Sequence, residues 1–154
     1  MNRASRRCRL DARWPLGLLV GLWAFAASAA APPGQYSIPG DGTVHDTKTG
    51  LVWQQAVAPG TYTWSQAGSY CGGLTLAGTG WRLPSVKELM TLVDFTVTSG
   101  ATIDATAFPN TPAAWFWSSS PLAGSPSYAW YVDFSDGNTY DNVVSDTNQV
   151  RCVR

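Results

Sequence analysis

The chain has 154 residues, enough for one domain with a sizeable core, and its ten Lys and Arg are matched by ten Asp and Glu. Five of those bases but only one of the acids precede Ala30, so the remainder carries five basic and nine acidic side chains, a net of −4. An acidic product lacks the basic footprint that nucleic acid or an anionic membrane demands, which argues against both as the main partner.

Residues 1–30 read as a signal peptide. Arg3, Arg6, Arg7, Arg9 and Arg13 form a basic leader, Leu16 to Ala27 is an uncharged apolar run, and Ala27-Ser28-Ala29 supplies small residues for cleavage. That run is short for a bilayer and no second one follows, so no stable membrane span is expected after cleavage. A retained anchor is the alternative, and Arg6-Arg7 leaves a twin-arginine route open. Cys8 precedes the apolar run and is not placed for lipid attachment. Residues 31–40, opening on Pro32-Pro33-Gly34, read as a linker, and 41–154 as the domain.

Thr43–Asp46 and Leu51–Gln54 flank Thr47-Lys48-Thr49-Gly50, the signal of a hairpin with glycine in its turn. Thr63 followed by Gln66 is a capping box, and Trp64, Ala67, Cys71 and Leu74 then recur at helical spacing until Gly72-Gly73 weakens the pattern. Ser85 followed by Glu88 is a second box. Pro84 bars an earlier helical turn, and Val86, Leu89, Met90 and Val93 share one face of a helix of two to three turns that fades after Phe95. From Thr96 the pattern turns irregular, punctuated by Gly100, Pro109, Pro112, Pro121, Gly124 and Pro126. Trp115–Ser119 and Ala129–Phe134 have strand composition, Ser135–Asn138 turns the chain back through Thr139-Tyr140, and Val150–Val153 reads as a last short strand. Two helices ahead of an antiparallel sheet imply an α+β domain with long loops.

Cleavage would leave two cysteines, Cys71 and Cys152. In an exported protein an even pair reads as one disulfide, here tying the first helix to the last strand. Two thiols and the single His45 cannot make a four-ligand zinc site, and there is no C-x-x-C redox motif. No metal and no cofactor is expected.

The stretch Gly80-Trp81-Arg82-Leu83-Pro84-Ser85-Val86-Lys87-Glu88-Leu89 resembles the hallmark of the Lcl C-terminal domain family. Further blocks follow in family order: Thr49–Gln54, Thr63–Ala67 to Cys71, Phe108–Thr111, Trp117–Ser119, Val132–Gly137 and Val150–Arg154. The resemblance implies a C-type-lectin-like fold, akin also to that of formylglycine-generating enzymes, in small exported bacterial domains named after a collagen-like adhesin. It implies an adhesin-like role in the periplasm, at the cell surface or outside the cell. The collagen-like stalk is absent here, and the Glu-Pro-Asn and Trp-Asn-Asp tripeptides of calcium-dependent sugar-binding relatives do not occur.

One histidine, no phosphate loop and no paired glutamates leave few ways to build a catalytic centre, so a binding module is expected rather than an enzyme. An enzyme of formylglycine-generating type would need a free reactive thiol. Sugars stack their C–H faces on indole and phenol rings while carboxylates and amides fix their hydroxyls. The candidate ligand-binding residues are therefore Trp115, Trp117, Trp130 and Tyr131, with Asp133, Asp136, Asn138 and Asp141, for a glycan or a protein ligand of the cell envelope. Strand alternation must turn about half of such aromatics inward. The acids lack the order of a calcium loop, and a solvated turn accounts for them without a metal. A purely structural or assembly domain, with every indole in the core, is the alternative.

Overall fold

The computed structural model describes residues 31–154; the signal-peptide expectation lies outside them. Among the described residues the architecture is α+β: two short helices and two three-stranded antiparallel sheets. The first sheet comprises β1 (Tyr36–Ser37), β2 (Thr43–Asp46) and β3 (Val52–Gln54), in that order. Its hairpin is the expected one, with Val44 opposite Trp53 and Gly50 at φ +74° in the turn, a conformation glycine adopts without steric cost. The strand β1, inside the stretch read as a linker, pairs Tyr36 with Asp46.

Both capping boxes form. Thr63 Oγ1 accepts from Gln66 N, and Gln66 Oε1 accepts from Thr63 N, starting α1 (Trp64–Gly73). Ala67 and Cys71 turn inward from it. Ser85 and Glu88 make the same exchange at the start of α2 (Val86–Met90). That helix is shorter than the expected two to three turns. The Thr91 hydroxyl donates to Glu88 O at 2.7 Å, and Leu92 N and Val93 N reach back only three residues, to Leu89 O and Met90 O. The tightened turns send Leu92 into the core, 1 % exposed, and leave Val93 at its margin.

The second sheet runs β4 (Trp115–Leu122), β5 (Ser125–Asp133) and β6 (Asn138–Val143). Residues 121–126, expected as irregular, instead form a second hairpin: Leu122 pairs with Ser125 around Ala123 and Gly124, the latter at φ +78°. Its prolines are tolerated because neither owes the ladder an N–H. Pro121 sits on an edge strand where the register slips, and Pro126 precedes the pairing of β5 with β6 at Tyr128.

The tail binds the halves together. Val153 exchanges backbone hydrogen bonds with Arg82, while the flanking Val52 and Arg154 exchange a pair of their own. Gln54 N donates to Cys152 O and Trp117 N to Gln149 O. The expected terminal strand is thus a bridged segment inserted between β3 and the Gly80–Pro84 stretch. Cys71 and Cys152, both fully buried, are joined in the expected disulfide, with Cα atoms 5.4 Å apart.

Two apolar clusters result. One gathers Val44, Trp53, Leu89, Leu92, Phe108, Phe116 and Phe134; the other gathers Trp81, Trp117, Tyr131, Val150 and the disulfide. The second sheet lies between them, feeding Phe116 and Val132 to one and Trp117, Ala129 and Tyr131 to the other.

Candidate functional site

The eight candidate residues do not form one group, because alternation along β4, β5 and β6 deals them to both faces of the sheet. Trp115, Trp117, Tyr131, Asp133 and Asn138 share a face; Trp130 and Asp141, opposite each other in register, belong to the other. Trp117 offers no surface. It is fully buried, its indole N–H donates to Tyr62 O at 2.9 Å, and its ring meets Tyr131 edge-on. Trp130, half-buried, borders a shallow hollow of about 440 Å³ with Val86, Lys87, Met90 and Thr139.

What remains on the first face is an aromatic ridge. The Trp115 ring stacks on Tyr131 with centroids 4.9 Å apart, and Tyr131 meets Tyr140 at 5.8 Å. Trp115 keeps 46 % of its surface exposed and Tyr140 44 %, whereas Tyr131 between them is buried. The register explains the ridge: Trp117 faces Tyr131 and Tyr131 faces Tyr140 on adjacent strands, with Trp115 two residues along.

The acids beside the ridge hold it in place. Trp115 Nε1 donates to Asp133 Oδ2 at 2.9 Å, and the other Asp133 oxygen accepts from Ser135 N. Asp136 Oδ1 accepts from Asn138 N, and its Oδ2 from the Tyr140 hydroxyl at 2.9 Å. The backbone N–H of Asn138, followed by its side chain, holds the Asp136 carboxyl below its usual range. Burial, then the Asp133 charge, raises the Tyr131 phenol, and the hydrogen bond to Asp136 raises that of Tyr140, so both stay neutral and polar at physiological pH. Among the described residues no group of three or more His, Cys, Asp or Glu is arranged to hold a metal ion.

Beyond Trp115 the ridge adjoins a hollow of about 240 Å³ bordered by Thr61, Ala114, Trp115, Thr147, Asn148 and Gln149. Three chain segments meet there, and backbone hydrogen bonds lock them. Asn148 and Tyr62 exchange a pair at 3.0 and 2.9 Å, and Gln149 N donates to Trp115 O at 2.9 Å.

Two features were missed from sequence. Tyr140 stands at alternate spacing from Asn138 and opposite Tyr131, a signal that strand pairing could have supplied. Thr147–Gln149 is polar loop with no local signature, and only its docking against β4 gives it a place at the site. The arginines of the family blocks are engaged elsewhere. Arg82 makes a two-pronged contact with Glu88, Arg154 lies over the Trp81 ring at 5.0 Å, and Arg151 is buried.

The family model of the Lcl C-terminal domain matches residues 42–154. Among curated proteins the chain has no match.

Proposed function

Because the chain belongs to the Lcl C-terminal domain family, we propose that it is an exported, adhesin-like domain of C-type-lectin-like fold that binds a glycan of the cell envelope through its aromatic ridge. The observation that carries this reading is the exposure of Trp115 and Tyr140 on either side of the buried Tyr131. What sets these two rings apart is continuity: they meet through Tyr131 and are oriented by carboxylate hydrogen bonds, giving a joined aromatic surface of the kind found at binding sites. Export is supported by the disulfide, which suits an oxidising compartment. Binding rather than catalysis is supported by the engagement of Cys71 and Cys152 with each other, which leaves no free thiol among the described residues.

The test is a glycan array with the mature domain at neutral pH, with and without chelator. Binding that survives chelator and falls about tenfold or more in Trp115→Ala and Tyr140→Ala is the expected result, the loss of one stacking platform being worth about 1.4 kcal/mol. A blank array would leave the assembly-domain reading in its place.

A further inference from the structure

We infer that two copies of this chain pair through the outer edge of β6, antiparallel about a two-fold axis at Tyr140, so that each copy extends the other's aromatic ridge. The pairing goes beyond the glycan reading and does not depend on it.

The direction of the hydrogen bonds shows which groups of β6 face outward. β6 is the last strand of its sheet. Val144 N donates to Ser127 O, in the register that sets Tyr140 opposite Tyr131 and Asp141 opposite Trp130. Antiparallel bonds alternate along a strand, so Tyr140 and Asn142 turn their backbone groups to β5 while Thr139, Asp141 and Val143 turn theirs away. Val143 is already engaged: its N–H donates to Asn142 Oδ1, and its carbonyl accepts from Asp146 N. The backbone groups of Thr139 and Asp141 bond to no other segment among the described residues. Sheet edges are ordinarily blunted by lysine, proline or a bulge, and Asn138–Val143 has none of these.

A second β6 fits this edge. With Tyr140 facing Tyr140 of the second copy, Thr139 of each copy exchanges both backbone hydrogen bonds with Asp141 of the other, and every open group is used. The charges agree with that register. Lys87 of α2 borders the hollow of about 440 Å³ together with Trp130 and Thr139. Asp141 of the second copy stands opposite Thr139 on the same face, which brings its carboxylate to the side of the sheet that carries Lys87. Within one copy neither charge is answered, since the ion pair found among the described residues is Arg82 with Glu88. The two-fold axis makes the Lys87–Asp141 contact twice.

The opposite face gains as well. Tyr140 is 44 % exposed. Facing its own copy it takes the non-hydrogen-bonded position, where Cα atoms approach to about 4.5 Å and side chains come closest. The run from Trp115 through Tyr131 to Tyr140 then continues into the same run of the second copy.

The experiment is sedimentation of the mature domain over a range of concentrations, at low and high salt. A monomer–dimer equilibrium that weakens with salt is expected. Lys87→Glu and Asp141→Lys should each weaken it about tenfold or more, and the two together should restore it to within about threefold of the wild type, because the swap again sets opposite charges face to face. Thr139→Pro removes an outward N–H that the fold does not use, so it should abolish association while the domain still melts cooperatively. A monomer at every concentration up to about 1 mM overturns the inference and leaves the edge to a strand of another protein. So does a dimer that all three single variants, folded, leave intact, or one that the double swap fails to rescue. Glycan binding by a strict monomer would remove the pairing and leave the glycan reading standing.

Discussion

The guanidinium of Arg151 lies 4.7 Å from the centre of the Phe108 ring, inside a core where Arg151 has no exposed surface. Its Nη1 donates to the carbonyls of Gln54 and Gln55, and its Nη2 to Thr111 Oγ1 at 2.7 Å. Among the described residues no carboxylate pairs with it, although a partner of that kind is what a buried arginine first suggests. Burial draws its pKa down to about 9, so it is still charged at neutral pH, held by carbonyl dipoles and an aromatic face. This cation joins the tail to β3 and to the Phe108 loop. Arg151→Ala should destabilise the domain by about 3–5 kcal/mol, since it opens a cavity and strands two buried carbonyls. Arg151→Lys keeps the charge but cannot reach both sides at once, and should cost about 1–3 kcal/mol. Urea unfolding at pH 7 measures both; a neutral Arg151→Ala would refute this role.

Glu88 makes stability depend on acid. The Arg82 guanidinium, aided by the Ser85 backbone N–H and hydroxyl, lowers its pKa from 4.5 to about 2. A carboxyl depressed by folding adds stability that is complete above its unfolded value and disappears as pH falls through its folded one. The loss should therefore run from about pH 4.5 to about pH 2. Arg82 keeps 49 % of its side chain in water, and solvent screening limits the contribution to about 1 kcal/mol. Unfolding of the wild type and of Glu88→Gln across that window should show a shallower slope in the variant.

The disulfide should account for much of the domain's stability. It links residues 81 apart, and closing a loop of that length is worth about 4–5 kcal/mol in the chain-entropy model, against a typical domain stability of about 5–15. Thermal melts with and without reductant should differ by well over 10 °C. A Cys71→Ala, Cys152→Ala double variant should melt with the reduced protein.

Two glycines at φ +78° should respond differently to alanine. A Cβ on Gly124 would meet nothing within 4 Å, so Gly124→Ala should cost only the left-handed backbone penalty of about 1–2 kcal/mol. On Gly137 it would stand 2.7 Å from both Val93 Cγ1 and Phe95 Cε1. Phe95 is exposed and can swing aside, but Val93 is stiff, and Gly137→Ala should cost about 1–3 kcal/mol more. Equal melting temperatures for the two variants would show that the contact yields freely.

Several elements were legible because their causes lie within a few residues of chain. Each capping box joins residues three apart, the first hairpin turns on Gly50, and the cysteine pair followed from count and expected compartment. The length of α2 was misread because the backbone tightens after Met90, with Thr91, Leu92 and Val93 each bonding back three residues instead of four, which spacing cannot show. The second hairpin was masked by prolines whose harmlessness depends on edge position and register.

By itself, then, the sequence determined the α+β class, the capped helix starts and the acidic balance, since local hydrogen bonding and composition suffice for those. Tertiary structure alone decided which aromatics are surface and which are core. Trp115 and Trp117 alternate identically, yet Trp117 is buried because the Tyr62 loop, 55 residues away, covers it. It also decided that Thr61 and Thr147–Gln149 should meet beside Trp115, through pairings such as Tyr62 with Asn148. Such contacts are fixed by how the tail threads the core, and chain order does not encode that in any short pattern.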